Sequence, residues 1–319
     1  MDAARIVVVG SYATGLTMKT DRIPCAGETV LGTGYRVDFG GKGSNQAIAC
    51  ARLGAHVDFV ASIGNDSFGD MAGALLRNES IGTKFCKRSS DTPTGVGFIV
   101  VEASTGRNCI VLDPGANELL RPADVSCAFA ELGTAAVVLT QLEIPVHAAE
   151  SALSHGRAAG AVTILNPAPV RPLPASLFAS TDILVPNETE AKVLAGYSAD
   201  AMVEPDIVAH DLLARGIKHV VMTLGEQGAL LAHSSSQKLF PAVTVQAVDT
   251  TGAGDAFNAG LAVALGHGDT IETAVEFAII IGAMAVTREG VIPSLPRREE
   301  VRHFCNLRGL SGPEWLKAD

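Results

Sequence analysis

The chain has 319 residues, 47% hydrophobic and 18% charged, which excludes a disordered polypeptide and provides for a large core. Its formal net charge of −10 argues against broad nucleic-acid binding but not against a phosphate ligand, which a few backbone N–H groups and one or two cations can hold. The length fits one α/β domain over residues 1–319.

The start, Met1-Asp2-Ala3-Ala4-Arg5 before a short apolar strand, does not read as a signal peptide, and a cytoplasmic location is expected. Ile6 to Gly10 reads as a buried strand ending in glycine, and Asn45 to Leu53 as a helix stopped by Gly54. His56 to Ile63 is a strand, Asp70 to Asn78 a helix, Ala135 to Thr140 a buried strand and His147 to Ala159 a helix. Val162 to Leu165 and Ile183 to Pro186 are short strands; Asp206 to Ala214 is helical, and His219 to Leu224 is a strand ending at Gly225. A strand over Val243 to Val248 leads to a helix through Asn258 to Leu265. This alternation of apolar strands and helices predicts a mostly parallel sheet covered on both faces. Two stretches depart from it. Residues 28–39 and 94–113 carry β-branched residues and glycines, with a hairpin from Val96–Val101 to Arg107–Leu112, and predict a small projecting β element that acts as a lid or a dimer contact. The apolar run Phe277 to Val286 is too short to span a bilayer and is interrupted by Gly282. The six cysteines form no C-x-x-C pair and read as reduced, buried thiols.

The chemistry concentrates in two glycine turns. In Asp249-Thr250-Thr251-Gly252-Ala253-Gly254-Asp255-Ala256-Phe257, a glycine turn opens a helix, whose first N–H groups attract anions. Asp255 stands where a phosphate would arrive. A carboxylate there is repelled unless it takes the proton of a hydroxyl that attacks phosphorus; the plainer alternative is a helix cap. The second turn, Phe39-Gly40-Gly41-Lys42-Gly43-Ser44-Asn45, matches neither a Walker A loop nor G-x-G-x-x-G. It reads as a backbone cradle with Lys42 and Asn45 aimed at a polyhydroxylated ligand. The histidines show no metal spacing.

Together these turns resemble the two signatures of the ribokinase (PfkB) family of carbohydrate kinases. Gln141-Leu142-Glu143, Asn166-Pro167-Ala168-Pro169, Pro186-Asn187-Glu188-Thr189-Glu190 and Thr223-Leu224-Gly225-x-x-Gly228 stand between them in the family's order. The resemblance implies a three-layer α/β sandwich with a β-sheet lid, and an ATP-dependent kinase for the primary hydroxyl of a small sugar. It implies Asp255 as general base and Gly252, Ala253 and Gly254 as the anion hole for the γ-phosphate. Gly41, Lys42, Gly43, Asn45 and Glu143 would bind sugar hydroxyls. Asn187, Thr223, Leu224, Gly225, Gly228, Gly254 and Ile279 would line the ATP site, with Glu190 ordering Mg2+ through water. A K+ ion would sit among Asp249, Thr251, Ala285, Arg288, Gly290 and Ser294. Asn187 and Glu190 also fit a simple helix cap, and Arg288 fits a surface ion pair. A homodimer through the lid is expected, with no nucleic-acid or membrane partner.

One segment departs from the family pattern. Where ribokinases carry an Asn-x-Asp that grips the sugar's secondary hydroxyls, this chain has Ala13 and Gly15. The phosphoryl-transfer set is whole; the ribose-recognition set is not. A different pentose, a deoxysugar, a hexose derivative or a nucleoside is therefore open. Aromatic residues at 5% disfavour a nucleoside, whose base needs an apolar or aromatic cover. A non-catalytic sugar or nucleotide sensor and a Rossmann oxidoreductase are the readings from other classes.

Overall fold

The computed structural model describes residues 3–317. Arg5–Val9 (β1) is flanked by His56–Gly64 (β4) and Val137–Thr140 (β8), both parallel to it, so the polypeptide leaves the sheet after β1 and returns. It leaves for a second sheet formed by Ala13–Thr20 (β2), Gly32–Gly40 (β3), Gly95–Glu102 (β6) and Asn108–Asp113 (β7), in the order β3-β2-β6-β7. Cys86–Ser89 (β5), Val162–Leu165 (β9), Ile183–Leu184 (β10) and His219–Thr223 (β11) complete the parallel part of the main sheet. Ala229–His233 (β12) and Ser236–Phe240 (β13) add an antiparallel edge. The nine strands run β13-β12-β11-β10-β9-β8-β1-β4-β5.

Helices cover both faces of this sheet, and β1 shows why. Ile6 and Val8 join the core with the helices Lys42–Arg52, Ala253–Gly266 and Ile271–Ala285, whereas Val7 and Val9 join that with Pro122–Glu131, Val146–Ala158 and Pro205–Leu213. A strand with two buried faces needs a continuous apolar run, which is what Ile6-Val7-Val8-Val9 supplies. The helix pair 253–266 and 271–285 packs with Gly260 against its partner: a Cβ there would lie 2.9 Å from Ile281 Cγ1 and 3.1 Å from Ala278 Cα. Alanine at 260 would push the pair apart at a cost of about 1–3 kcal/mol.

Several boundaries differ from expectation for identifiable reasons. β2 was not predicted, because Ala13, Thr14, Gly15 and Thr17 interrupt any apolar alternation; its partners on both sides create the strand. The lid strand expected over 28–39 begins only at Gly32, while the hairpin pairs Val96 with Asp113 through Val101 with Asn108. Val243 to Val248 is not a strand. Pro241 follows the edge strand β13, no ladder lies alongside the segment, and only Val248 and Asp249 reach a carbonyl, that of Val286. The helix expected from Asn45 starts at Lys42, and the helix opened by the second glycine turn starts at Ala253, so both glycine turns run straight into a first helical turn. The cysteines are unpaired, but Cys25, Cys109 and Cys127 are exposed rather than buried, Cys109 because it lies on the lid hairpin. Among the described residues no helix is long and apolar enough to cross a membrane.

Candidate active site

Asp255 lies in the first turn of the helix Ala253–Gly266 and is 6% exposed. Asn45 Nδ2 donates to its Oδ2 at 2.8 Å, and Gln46 Nε2 to its Oδ1 at 2.9 Å. Gln46 also donates to Asn166 and accepts from Gln141 Nε2, so a chain of buried amides fixes the carboxylate's orientation. Burial raises the Asp255 pKa above the usual carboxylate value; Lys42 and the two amides oppose that without cancelling it. Burial works against the Lys42 charge, but Asp255, Glu143 and Glu190 outweigh it and hold the ammonium above its ordinary pKa. A proton acceptor thus sits beside a fixed cation.

The cradle around Lys42 is set by close backbone approach. Gly41 has φ 91°, and a Cβ there would lie 2.7 Å from Tyr12 Cα. At Gly43 a Cβ would meet Ser11 N at 2.4 Å. Glu143 Oε2 accepts from Ser11 Oγ at 2.6 Å and from the Lys42 N–H at 2.8 Å, tying the end of β1, the cradle and the loop after β8 together. Two features mark the space between as a ligand's. Asn45 Oδ1 is buried with no hydrogen-bond partner, an acceptor suited to a hydroxyl. The N–H groups of Gly254 and Asp255 donate to no carbonyl among the described residues, and a Cβ on Gly254 would meet no atom within 4 Å. Gly254 therefore faces open space where a helix N-terminus presents free donors, the setting for an anion.

The residues assigned to the nucleotide lie at the ends of β10 and β11. Asn187 bridges to Thr223. Its side chain accepts from the Glu190 N–H at 2.8 Å, and Glu190 Oε2 accepts from the Asn187 N–H at 2.9 Å, so the pair forms a capping box. That box occupies one Glu190 oxygen; burial raises the Glu190 pKa, against the pull of the Asn187 N–H and Lys42. Leu224 N–H closes onto Gly228 O at 2.8 Å, and a Cβ on Gly228 would lie 2.0 Å from Phe240 O, so Gly228 is fixed by its turn, whereas Gly225 faces open space. Ile279 packs in the apolar layer of its helix, outside the polar cluster.

Asp249 joins two loops. Its Oδ1 accepts from the Thr251 N–H at 2.9 Å and its Oδ2 from the Gly290 N–H at 3.0 Å. These bonds and Arg36 outweigh the effect of burial and hold its pKa below the ordinary value. Ala285 and Ser294 are buried nearby in sequence, while Arg288 turns outward to Glu300 at 2.6 Å, the surface ion pair foreseen for it. Sequence reasoning assigned no role to Ser11, Gln46, Gln141 or Asn166. The signal was available for Gln46, a polar residue between Asn45 and the apolar Ala47-Ile48-Ala49, and for Gln141 and Asn166, which directly follow apolar strands.

Comparison with known proteins matches residues 3–298 to the pfkB family of carbohydrate kinases. The chain belongs to this family. It is 36% identical to the ribokinase of Haemophilus influenzae, over 94% of this chain and 97% of that one. It is 34% identical to a deoxyribokinase of Salmonella typhi, over 95% and 99%. The structure of Arabidopsis thaliana ribokinase complexed with ribose and ATP superposes with a TM-score of 0.86 at 32% identity, covering 94% of this chain and 98% of that one. The family is one of phosphotransferases with an alcohol group as acceptor, and the chain is a carbohydrate kinase of that kind.

Proposed function

We propose that the chain transfers the γ-phosphoryl group of ATP to the primary hydroxyl of a pentose or deoxypentose, with Asp255 as general base. The observation that carries this reading is the pairing of an amide-held, buried Asp255 carboxylate with free Gly254 and Asp255 N–H groups on the open side of one helix turn. The acceptor's O–H proton passes to Asp255 as its oxygen bonds to phosphorus, and the bond to the β,γ-bridging oxygen breaks with its electron pair leaving on ADP. Negative charge on the transferring oxygens meets the N–H groups of the glycine turn and the Lys42 ammonium. A base whose pKa burial has raised is better matched to a hydroxyl proton than an ordinary carboxylate.

Gly41, Gly43, Asn45 and Glu143 hold the sugar in this reading, the unpartnered Asn45 Oδ1 accepting a hydrogen bond from one hydroxyl. Thr223, Leu224 and Gly225 border the nucleotide, with Asn187 behind them. Among the described residues no cluster of three or more acidic, His or Cys side chains could cage a metal. Glu190, with one oxygen outside its capping box, would order a Mg2+ through water, and the ion would supply charge neutralisation to the phosphates. The Asp249 loops offer one ionised carboxylate and main-chain carbonyls, oxygen donors suited to K+. The lid exposes Phe98, Ile110, Val111 and Leu112, each more than half accessible, an apolar surface suited to a second copy of the chain.

The deoxypentose option is kept because Ala13 and Gly15 offer no polar group to a second hydroxyl, and because one relative is a deoxyribokinase. An ADP-release assay over D-ribose, 2-deoxy-D-ribose, other pentoses, hexoses and nucleosides, with and without K+, tests the reading. Turnover with a pentose or deoxypentose supports it; turnover with none of the panel, or with nucleosides alone, removes it.

A further inference from the structure

We infer that Asp38, on the lid strand β3, is the residue of this chain that reads the secondary hydroxyls of the acceptor sugar. The inference rests on the sugar-kinase reading above and adds a specificity residue to it. In the antiparallel pair β2/β3, Ala13 lies opposite Gly40, Gly15 opposite Asp38 and Thr17 opposite Arg36. Directly opposed residues project to the same face, and a Cβ built on Gly15 would stand 3.5 Å from Asp38 Cβ. The opposite face is occupied: Tyr12 and Thr14 pair through their hydroxyls at 3.3 Å, and Tyr12 packs with Ile63, Ala72 and Phe39.

Two connections aim the Asp38 face at the reaction. The Ala13–Gly40 pair runs straight into Gly41 and Lys42. At the far end, Arg36 Nη1 donates to Glu289 at 3.0 Å, and the neighbouring Gly290 N–H holds Asp249. The face therefore spans from the sugar cradle to the loop that leads into the anion turn.

Next to the cradle, from Ala13 to Thr17 and their partners on β3, the polar inventory of this face leaves one group free. Ala13 and Gly15 have none to offer. The Thr17 hydroxyl is donated to Asp38, and Arg36 is shared between Asp38 and Glu289. Both bonds to Asp38 fall on Oδ2, at 3.0 Å from Thr17 and 2.8 Å from Arg36; Oδ1 accepts nothing from the described residues. The side chain is 39% exposed, and the absent side chain of Gly15 leaves a gap next to it, bounded by Ile99 Cδ1 at 3.4 Å. A held carboxylate with one free oxygen beside such a gap is an acceptor for hydroxyl groups. The missing carboxylate at position 15 is thus matched by one at the same rung of the neighbouring strand.

The test uses the full chain and steady-state kinetics on D-ribose, its C2 epimer D-arabinose, its C3 epimer D-xylose, 2-deoxy-D-ribose and D-fructose. Asp38→Ala is expected to lower kcat/KM for the preferred sugar roughly ten- to a hundredfold, mainly through KM, the size of a lost hydrogen bond to a charged group. The sugar lacking or inverting the recognised hydroxyl should lose less than about threefold, with thermal stability unchanged. Gly15→Asp added to Asp38→Ala returns a carboxylate to the same face and is expected to change the order of preference among the pentoses. An equal loss for every sugar would assign Asp38 a merely structural role through Arg36 and overturn the inference. No loss for any sugar would overturn it too. A wild-type chain that turns over none of these sugars would remove the sugar-kinase reading itself, and this inference with it.

Discussion

The two glycine turns sit side by side in space yet are built differently. Around Asp255 both carboxylate oxygens accept from buried amides, in the relay from Gln141 through Gln46 to the carboxylate and from Asn45. On the lid side, β2 and β3 carry small residues at Ala13, Gly15 and Gly40, and a half-exposed acid at Asp38. The first region is buried and cross-linked by hydrogen bonds. The second is sparse, so exchanging one or two side chains changes what it binds without disturbing a core. On the proposed reading, reaction and acceptor preference are therefore separable in this molecule, and variants test how cleanly.

The largest effect is expected from Asp255→Asn. It removes the proton acceptor, so kcat should fall about 10²–10⁴-fold while calorimetry finds ATP affinity within about threefold; near-wild-type turnover would dissolve the distinction between the regions. The same variant carries a stability signature. The folded-state pKa of Asp255 is raised by burial, so folded protein keeps the proton to higher pH than the unfolded chain does. Its contribution to stability is present below the unfolded value and is lost as pH rises through the folded one. Asp255→Asn should therefore raise Tm at neutral pH and lose that advantage in acid; a lower neutral Tm would contradict the assignment of burial as the dominant cause.

Next come the two glycines of the anion turn, which separate packing from function. Gly254→Ala touches no protein atom and should leave Tm unchanged or slightly higher, while its methyl group intrudes on the phosphate and lowers kcat/KM for ATP about 10²-fold. Gly252→Ala forces a residue at φ 83° against Val291 Cγ1 at 2.8 Å and should cost about 1–2 kcal/mol of stability in denaturant titration. Equal behaviour of the two would mean that the open side of Gly254 has no ligand.

A smaller change is expected for Gln46→Leu. Losing a donor to the Asp255 carboxylate favours its protonated form, so the acid limb of the pH–rate profile should move to higher pH, with little change in the plateau. The smallest is Arg36→Ala, which breaks the exposed pair with Glu289; about 1 kcal/mol or less is at stake, and acceptor preference should respond more than Tm.

How legible the molecule was from sequence follows the same division. The buried parallel strands were readable because a strand covered on both faces must be continuously apolar, as Ile6 to Val9 is. Asp255, Lys42 and Asn45 were readable because glycine turns punctuate them. The strand β2 was not, because it exists through its neighbours rather than through its own residues. Gln46 and Gln141 escaped notice because their roles depend on meeting across the sheet, 95 residues apart, which no local pattern announces. Asp38 escaped for a related reason: its significance lies in what stands opposite it, and the register of β2 against β3 supplies that only in three dimensions.

The bond from Asn45 to Asp255 joins residues 210 apart in the chain. Loop-closure entropy grows only slowly with separation, so the sheet that brings the two turns together, not nearness in sequence, sets this bond. The carboxylate and its donors thus come from distant parts of the chain, and neither glycine turn holds the pair alone.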